Sequence, residues 1–213
     1  GITDLEEDLY KSDTRTPDTD GDGFLDGNEV FHLYNPSGQA PVRLLDSSLV
    51  KNVESPVGWT LSMPAGWTAN ITENGTRTTM DSLRGEKFII TIEENSAKAP
   101  ILDWYLAKNP QISASQVKAY RSKGGYTGIL SPDLLITYIP WGDRVFVFTY
   151  DLNGQSFINY RTTVAMMLNS MMLSGMPNIV STTSTSPLPF EPSATTSGVV
   201  TEPASVTATF SGS

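Results

Sequence analysis

Five carboxylate side chains lie within twelve residues near the start of the chain. The stretch reads Asp18-Thr19-Asp20-Gly21-Asp22-Gly23-Phe24-Leu25-Asp26-Gly27-Asn28-Glu29. It matches the pattern D-x-[DN]-x-[DN]-G-x5-E at every constrained position. A Ca²⁺ ion takes about six to eight oxygen ligands, and alternating aspartates followed by a closing glutamate supply such a shell. The spacing therefore predicts a calcium-binding loop.

Each constrained position of the loop has a predicted role at the ion. Gly23 permits the sharp turn because it has no Cβ. Asp26 binds directly or through a water, and Glu29 closes the shell with both carboxylate oxygens. The alternative interpretation, a solvated acidic loop, does not explain a glycine at the sixth position and a glutamate at the twelfth. The predicted ligands are the side chains of Asp18, Asp20, Asp22, Asp26 and Glu29 and the backbone carbonyl of Phe24.

An incomplete copy of the same pattern precedes the loop. Residues 1–7 align with residues 23–29 at a period of 22. Asp4 and Glu7 then occupy the ninth and twelfth positions of a half-site whose first five residues are missing, so we expect it to bind weakly or not at all. The same residues also fit a helix start, with Thr3 or Asp4 as the N-cap. The two interpretations are compatible.

Only short helices are predicted on either side of the loop. A helix over residues 3 to 12 precedes it, but Pro17 keeps that helix from running directly into Asp18. After the loop, residues 30–34 are the only positions left for an exit helix before Pro36 ends it. The module is therefore predicted to be a calcium loop with clipped helices, unlike a paired EF-hand.

Residues 1–36, through DTDGDGFLDGNE and the preceding LEEDLYKSDTRTP, resemble the thrombospondin type 3-like calcium repeats of bacterial surface proteins. The resemblance implies a Ca²⁺-stiffened spacer at an extracellular or cell-surface location, and it carries over the same six ligands. The alternative is a dockerin-like assembly module, which presents a similar loop to a partner. A dockerin needs a longer exit helix than Pro36 allows.

The rest of the chain divides into a connector over residues 37–56, an α+β domain over residues 57–175 and a tail over residues 176–213. Helices are predicted over residues 101–109 and 156–174. The strand over residues 144–152 is apolar on both faces, so we expect it at the centre of the sheet. The other strands are predicted at residues 59–63, 76–80, 87–94, 116–122, 126–130 and 134–140, and a further short extended segment begins at residue 67.

The order of these elements, with the opening GWTLSMPAGW and its Pro-x-Gly-Trp turn at residues 64–67, resembles the PsbP-like fold. That resemblance implies an antiparallel sheet flanked by helices, an α/β/α arrangement within the α+β class. The photosystem role of that family does not carry over, because no functional motif matches it residue by residue.

Charge and composition exclude several classes of protein. The net charge is −9, and residues 1–29 hold ten acidic and two basic residues, so the acidity belongs to the calcium segment. A chain without a basic stripe is not expected to bind nucleic acid. There is no cysteine for a disulfide, and no apolar run approaches the roughly 20 residues of a transmembrane helix. Because the chain begins at Gly1, we interpret it as a mature product or an excised fragment.

The sequence favours a binding protein, and the less favoured alternative is an enzyme of unknown class in residues 57–175, since carboxylates from distant positions can come together. Triad chemistry is mostly excluded by a single histidine, His32, and no cysteine. Glu93 and Glu94 are adjacent on a predicted strand, so their side chains point to opposite faces and cannot act as a pair. We therefore expect residues 57–175 to bind a protein or a surface ligand. After Met176, Ser and Thr supply 16 of 37 positions without a basic residue, which predicts a disordered linker or tail.

Overall fold

The computed structural model describes residues 1–176, so the predicted tail lies almost entirely outside the described residues. The helices are α1 (Asp4–Tyr10), α2 (Asp26–Phe31), α3 (Ile101–Lys108) and α4 (Arg161–Ser170). The strands are β1 (Val50–Glu54), β2 (Trp59–Pro64), β3 (Thr68–Ile71), β4 (Arg77–Asp81), β5 (Lys87–Glu94), β6 (Lys118–Arg121), β7 (Thr127–Leu130), β8 (Ile136–Trp141), β9 (Arg144–Asp151) and β10 (Met172–Leu173). None of the helices in residues 1–176 is long and apolar enough to cross a membrane.

Two antiparallel sheets confirm the predicted α+β class. The larger sheet has seven strands in the order β3-β4-β5-β9-β8-β7-β6, so β9 occupies the predicted central place. A second sheet, which the sequence did not separate from the first, has three strands in the order β1-β2-β10. The first strand of the predicted domain therefore belongs to the smaller sheet.

The central strand β9 explains how the large sheet is covered on both faces. Successive side chains of a strand point to opposite faces. Phe146 and Phe148 enter the main core, whereas Val145 and Val147 pack against Trp104 of α3 on the other face. The main core is strongly aromatic, and burial of such large side chains dominates core energetics.

The predicted long helix over residues 156–174 is wrong at both ends, since α4 covers only Arg161–Ser170. Before it, the backbone N–H groups of Asn159 and Tyr160 donate to the Tyr150 hydroxyl at 3.1 and 3.2 Å. After it, Met171 is extended and β10 pairs with β2. Tertiary hydrogen bonds thus override a helical pattern that residues 156–160 and 171–174 carry on their own.

The predicted connector contributes more structure than a linker. Its residues 50–54 form β1, which pairs with β2 from Val50 opposite Pro64 to Glu54 opposite Thr60. Of the apolar cluster expected to pack onto the domain, Leu44 is fully buried, but Val42 is 43% exposed. The packing expectation therefore holds only in part.

The first 36 residues share one hydrophobic core with the sheet domain. Tyr10 and Val30 are fully buried in that core. The carboxylate of Glu6 accepts hydrogen bonds from the Thr163 N–H and hydroxyl at 2.7 and 3.0 Å. Asn169 of α4 donates from Nδ2 to the carbonyl of Phe31 at 2.9 Å. The boundary predicted at residue 36 therefore separates two sequence segments that pack together in the structure.

Candidate metal centre

The first aspartate of the loop organises its backbone. Asp18 accepts hydrogen bonds from the N–H groups of Gly21 and Gly23, both at 2.9 Å. Both glycines have left-handed backbone, with φ of 74° and 95°. A side chain at either position would be strained there. The glycines therefore allow the loop to curl around the Asp18 carboxylate.

The next two aspartates extend this curl and connect it to the rest of the chain. Asp20 accepts from the Asp22 N–H at 3.1 Å, and Asp22 accepts from the Phe24 N–H at 3.0 Å. The second oxygen of Asp22 accepts from the N–H of Ala40 at 2.7 Å. The connector thus closes over the loop through a residue that no sequence pattern marked.

These hydrogen bonds bring three of the predicted ligands together. One carboxylate oxygen from each of Asp18, Asp20 and Asp22 lies within 4.8 Å of the other two, and all three side chains are partly buried. The Oδ2 atom of Asp20 is buried and has no hydrogen-bond partner within residues 1–176. The trio can therefore hold a metal ion among convergent oxygen atoms.

Glu29, the predicted closing ligand, is the least satisfied carboxylate of the site. It is fully buried on α2, and neither of its oxygens has a hydrogen-bond partner in the described part of the chain. Burial, and then the carboxylates of Asp22, Asp20, Asp26 and Asp18, raise the pKa of Glu29 to about 9. A buried carboxylate without donors is costly unless a cation or a proton compensates it. The donor set therefore fits a cation.

Asp26 is held by hydrogen bonds within the loop, and its role as a ligand, directly or through a water, stays a prediction. Its two oxygens accept from the backbone N–H and the hydroxyl of Thr19 at 2.8 and 2.9 Å, and its own N–H donates to the carbonyl of Pro17 at 2.9 Å. The three-aspartate cluster within residues 1–176 includes neither Asp26 nor Glu29. Asp26 therefore fixes the entrance of the loop. Thr19 was not singled out from the sequence, although its hydroxyl at the second position was the available signal.

The half-site residues do not form a second cluster of this kind among the described residues. Asp4 is exposed at the first turn of α1, where Thr3 is the N-cap and forms a capping box with Glu6. The Oε2 atom of Glu7 is buried without a partner, and burial, then Asp4, raises the pKa of Glu7. The helix-start interpretation is confirmed, and weak or absent binding at the half-site stays a prediction.

The other titratable groups noted from the sequence have structural surroundings. The Nδ1 atom of His32 donates to the carbonyl of Asn28 at 2.8 Å, and burial lowers the pKa of His32. Glu93 pairs with Lys108 of α3. These contacts give both groups a structural role.

Comparisons with known proteins place few limits on this chain. No family model matches it, and no curated protein does. Among solved structures it is similar to the solution structure of cyanobacterial PsbP (CyanoP) from Synechocystis sp. PCC 6803. The identity is 14%, the TM-score is 0.40, and the match covers 58% of this chain and 92% of that chain. At this TM-score, no inference about function follows from the likeness.

Proposed function

We propose that the protein is an extracytoplasmic calcium-binding modular protein, in which a bound Ca²⁺ stiffens the N-terminal repeat and thereby braces a small α+β interaction domain. The extracytoplasmic placement is supported by the resemblance of residues 1–36 to repeats of bacterial surface proteins. The bracing role is supported by the core that the repeat shares with α4 and the small sheet. In this protein the repeat supports the domain directly and does not project away from it.

The observation that carries the calcium proposal is the Glu29 side chain. Two unpartnered oxygens in a fully buried position offer the bidentate carboxylate that closes a twelve-residue calcium loop. Mg²⁺ is smaller, requires near-octahedral geometry and keeps several waters, so a loop that supplies mostly protein oxygens favours Ca²⁺. The glutamate and the three aspartates supply the acidic ligands.

Calorimetric titration of the chelator-treated protein with Ca²⁺ tests this proposal. We expect one site per chain, with a dissociation constant in the broad range of about 10⁻⁸ to 10⁻³ M. Glu29→Gln keeps the size of the side chain but removes the charge, and it should abolish binding. Glu54→Gln alters an exposed glutamate of β1 and should bind like the unmodified protein. Binding of Ca²⁺ by Glu29→Gln with unchanged affinity would refute the assignment.

We assign the sheet domain a binding role and not a catalytic one. Support comes from two cavities among residues 1–176, one lined by a single carboxylate, that of Asp8, and the other by none. A hydrolytic pair of carboxylates would need two such groups roughly 5–10 Å apart. The ligand is expected to be a protein or a component of a surface.

A dockerin-like role is the second candidate, and two exposed apolar side chains favour it, one within the loop and one just after it. Leu25 is 52% exposed and Phe31 is 41% exposed. If these residues dock a partner, the double variant Leu25→Ser, Phe31→Ser should lose the partner but still bind Ca²⁺. If the sheet domain carries the interaction, partner binding should survive. Deleting residues 1–36 would not separate the two roles, because the deletion would also expose the core that the repeat shares with the sheet domain.

A further inference from the structure

A cavity of about 460 Å³ lies between α1 and the sheet domain. Leu5 and Leu9 of α1 form one wall, and Trp67 after β2 and Tyr160 before α4 contribute to the opposite side. Small-molecule sites typically have volumes of about 300–1,000 Å³ and favour the seams between units. The cavity is therefore large enough, and suitably placed, for a small organic ligand.

The aromatic side of the cavity is rigid and carries an unused donor. Trp67 is 1% exposed, stacks on Phe88 with centroids 4.7 Å apart, and meets Tyr160 edge to face at 5.0 Å. The indole Nε1 of Trp67 is buried and has no acceptor within the described residues. Buried indole N–H groups are normally hydrogen-bonded. The stacking on Phe88 and the edge contact with Tyr160 therefore fix the Trp67 side of the cavity in place.

A braced turn between β4 and β5 forms part of the cavity mouth. Leu83 is 70% exposed and has a φ of 66°, a left-handed conformation that disfavours a branched residue. The turn is held by Asn153, which donates from Nδ2 to the carbonyl of Gly85 at 2.8 Å, and by Gln155, which donates to the carbonyl of Arg84 at 3.3 Å. Backbone strain that the surroundings maintain is common at binding sites.

The charges around the cavity favour an anion. Asp8 and Lys11 pair with each other at 3.5 Å, so their charges largely compensate. Arg84 also lines the cavity, and none of the ion pairs among residues 1–176 involves its guanidinium. A guanidinium can bind a carboxylate through two parallel hydrogen bonds. The cavity thus combines an apolar wall with one uncompensated cation.

We propose that this cavity binds a small organic acid with an aromatic or branched apolar body, whose carboxylate pairs with Arg84. The apolar body lies against Leu5 and Leu9 of α1. This inference goes beyond the protein or surface ligand proposed for the sheet domain, because it adds a small-molecule ligand in a separate cavity. The inference does not require Ca²⁺ to bind in the cavity.

Calorimetry with the full chain in saturating Ca²⁺ tests the proposal, with phenylacetate as the aromatic probe and isovalerate as the branched one. We expect saturable binding of at least one acid at one site per chain, and binding of its neutral amide at least about tenfold weaker, because the charge-assisted bonds are lost. Arg84→Gln should weaken acid binding by a similar factor, whereas Arg77→Gln, at an exposed arginine of β4, should not. Absence of saturation by both acids up to about 10 mM, or unchanged affinity of Arg84→Gln, would overturn the proposal.

A second variant tests the cavity without altering its charge. A Cβ added at Gly66, which lines the cavity, would meet no atom within 4 Å, so the backbone there has room for a side chain, and Gly66→Leu adds apolar bulk at the cavity lining. The added side chain should block acid binding and leave the melting temperature and the calcium isotherm unchanged. Undiminished acid binding would place the ligand elsewhere and contradict the proposal. A negative result with acids leaves the calcium proposal intact, because the calcium titration of the same variants measures it separately.

Discussion

Glu6 and Glu29 are both buried glutamates of the N-terminal repeat, but their surroundings are opposite. Glu6 is 1% exposed, and its oxygens accept from the Thr163 N–H at 2.7 Å, the Thr163 hydroxyl at 3.0 Å and the Thr3 N–H at 3.2 Å. Glu29 is fully buried and accepts no hydrogen bond within residues 1–176. Its nearest charges are other carboxylates.

This difference distinguishes Glu6, an anchor whose carboxylate fastens two helices together, from Glu29, the proposed metal ligand. The protein supplies the donors that Glu6 needs, so Glu6 fastens α1 to α4 whether or not an ion is present. Residues 1–176 supply none to Glu29, and a bound cation would compensate the burial of that side chain. Burial alone does not distinguish the two roles. The presence or absence of protein donors does.

The largest expected effect is the stabilisation of the protein by Ca²⁺. If Glu29 is a ligand, the free energy of unfolding should rise by about 2.7 kcal/mol at a free Ca²⁺ concentration of 100 times the dissociation constant, since the ion binds only the folded chain. Urea unfolding with Ca²⁺ or with a chelator measures this difference.

Glu29→Gln is the matched variant for this experiment. It should remove the calcium-dependent difference, and in the chelator it should be at least as stable as the unmodified protein, because it removes the cost of protonating Glu29, or of burying its unpaired charge, on folding. A large loss of stability in the chelator would show that Glu29 holds the fold together as Glu6 does, and the two glutamates would no longer differ in role.

Glu6→Gln should show the opposite behaviour. The amide places its NH₂ group against a backbone donor, either that of Thr3 or that of Thr163, so the free energy of unfolding should fall by about 1–3 kcal/mol. The fall should be equal with and without Ca²⁺. Glu54→Gln, at an exposed site, should stay within about 0.5 kcal/mol of the unmodified protein. A loss for Glu6→Gln that appears only with Ca²⁺ would contradict the anchor role.

Much of this contrast follows from local sequence, but the distinguishing contacts do not. The spacing of Asp18, Asp20 and Asp22 predicts that they converge, because neighbouring residues of one loop are involved. The bond from Ala40 to Asp22 and the bonds from Thr163 to Glu6 join residues 18 and 157 positions apart. No local pattern encodes such pairs.

The same reasoning explains the outcome for the fold. Strands with an apolar pattern of their own, such as β5 and β9, were predicted close to their observed bounds. The two-residue strand β10 has no such pattern and exists because it pairs with β2. The Tyr150 hydroxyl holds residues 159 and 160 outside α4, although their sequence continues the helical spacing. Tertiary contacts decide these cases.

A smaller effect is expected from the support of the loop by Thr19. Its hydroxyl donates to Asp26 at 2.9 Å and accepts from the Asp13 N–H at 2.7 Å. Thr19→Val keeps the shape and removes both bonds, which should cost about 0.5–1.5 kcal/mol and weaken Ca²⁺ binding by a factor below that of Glu29→Gln. Thr16→Val, at an exposed position, should change neither quantity. Equal effects of the two valine variants would show that Asp26 does not need this support.

The smallest effect is expected at Glu7, the residue of the half-site that corresponds to Glu29 in the full loop. Its Oε2 atom is also buried without a partner within residues 1–176, yet residues 1–7 carry no aspartates that correspond to Asp18, Asp20 and Asp22. Three missing carboxylates leave too few oxygens for the shell of about six to eight that Ca²⁺ takes. Calorimetry of Glu7→Gln should therefore give one site per chain and an affinity close to that of the unmodified protein, since Glu7 is not among the six predicted ligands of the full loop. A second calcium site in the unmodified protein that disappears in Glu7→Gln would contradict this expectation. It would show that a buried carboxylate can bind an ion without the three aspartates, so the aspartates would no longer explain why the full loop binds and the half-site does not.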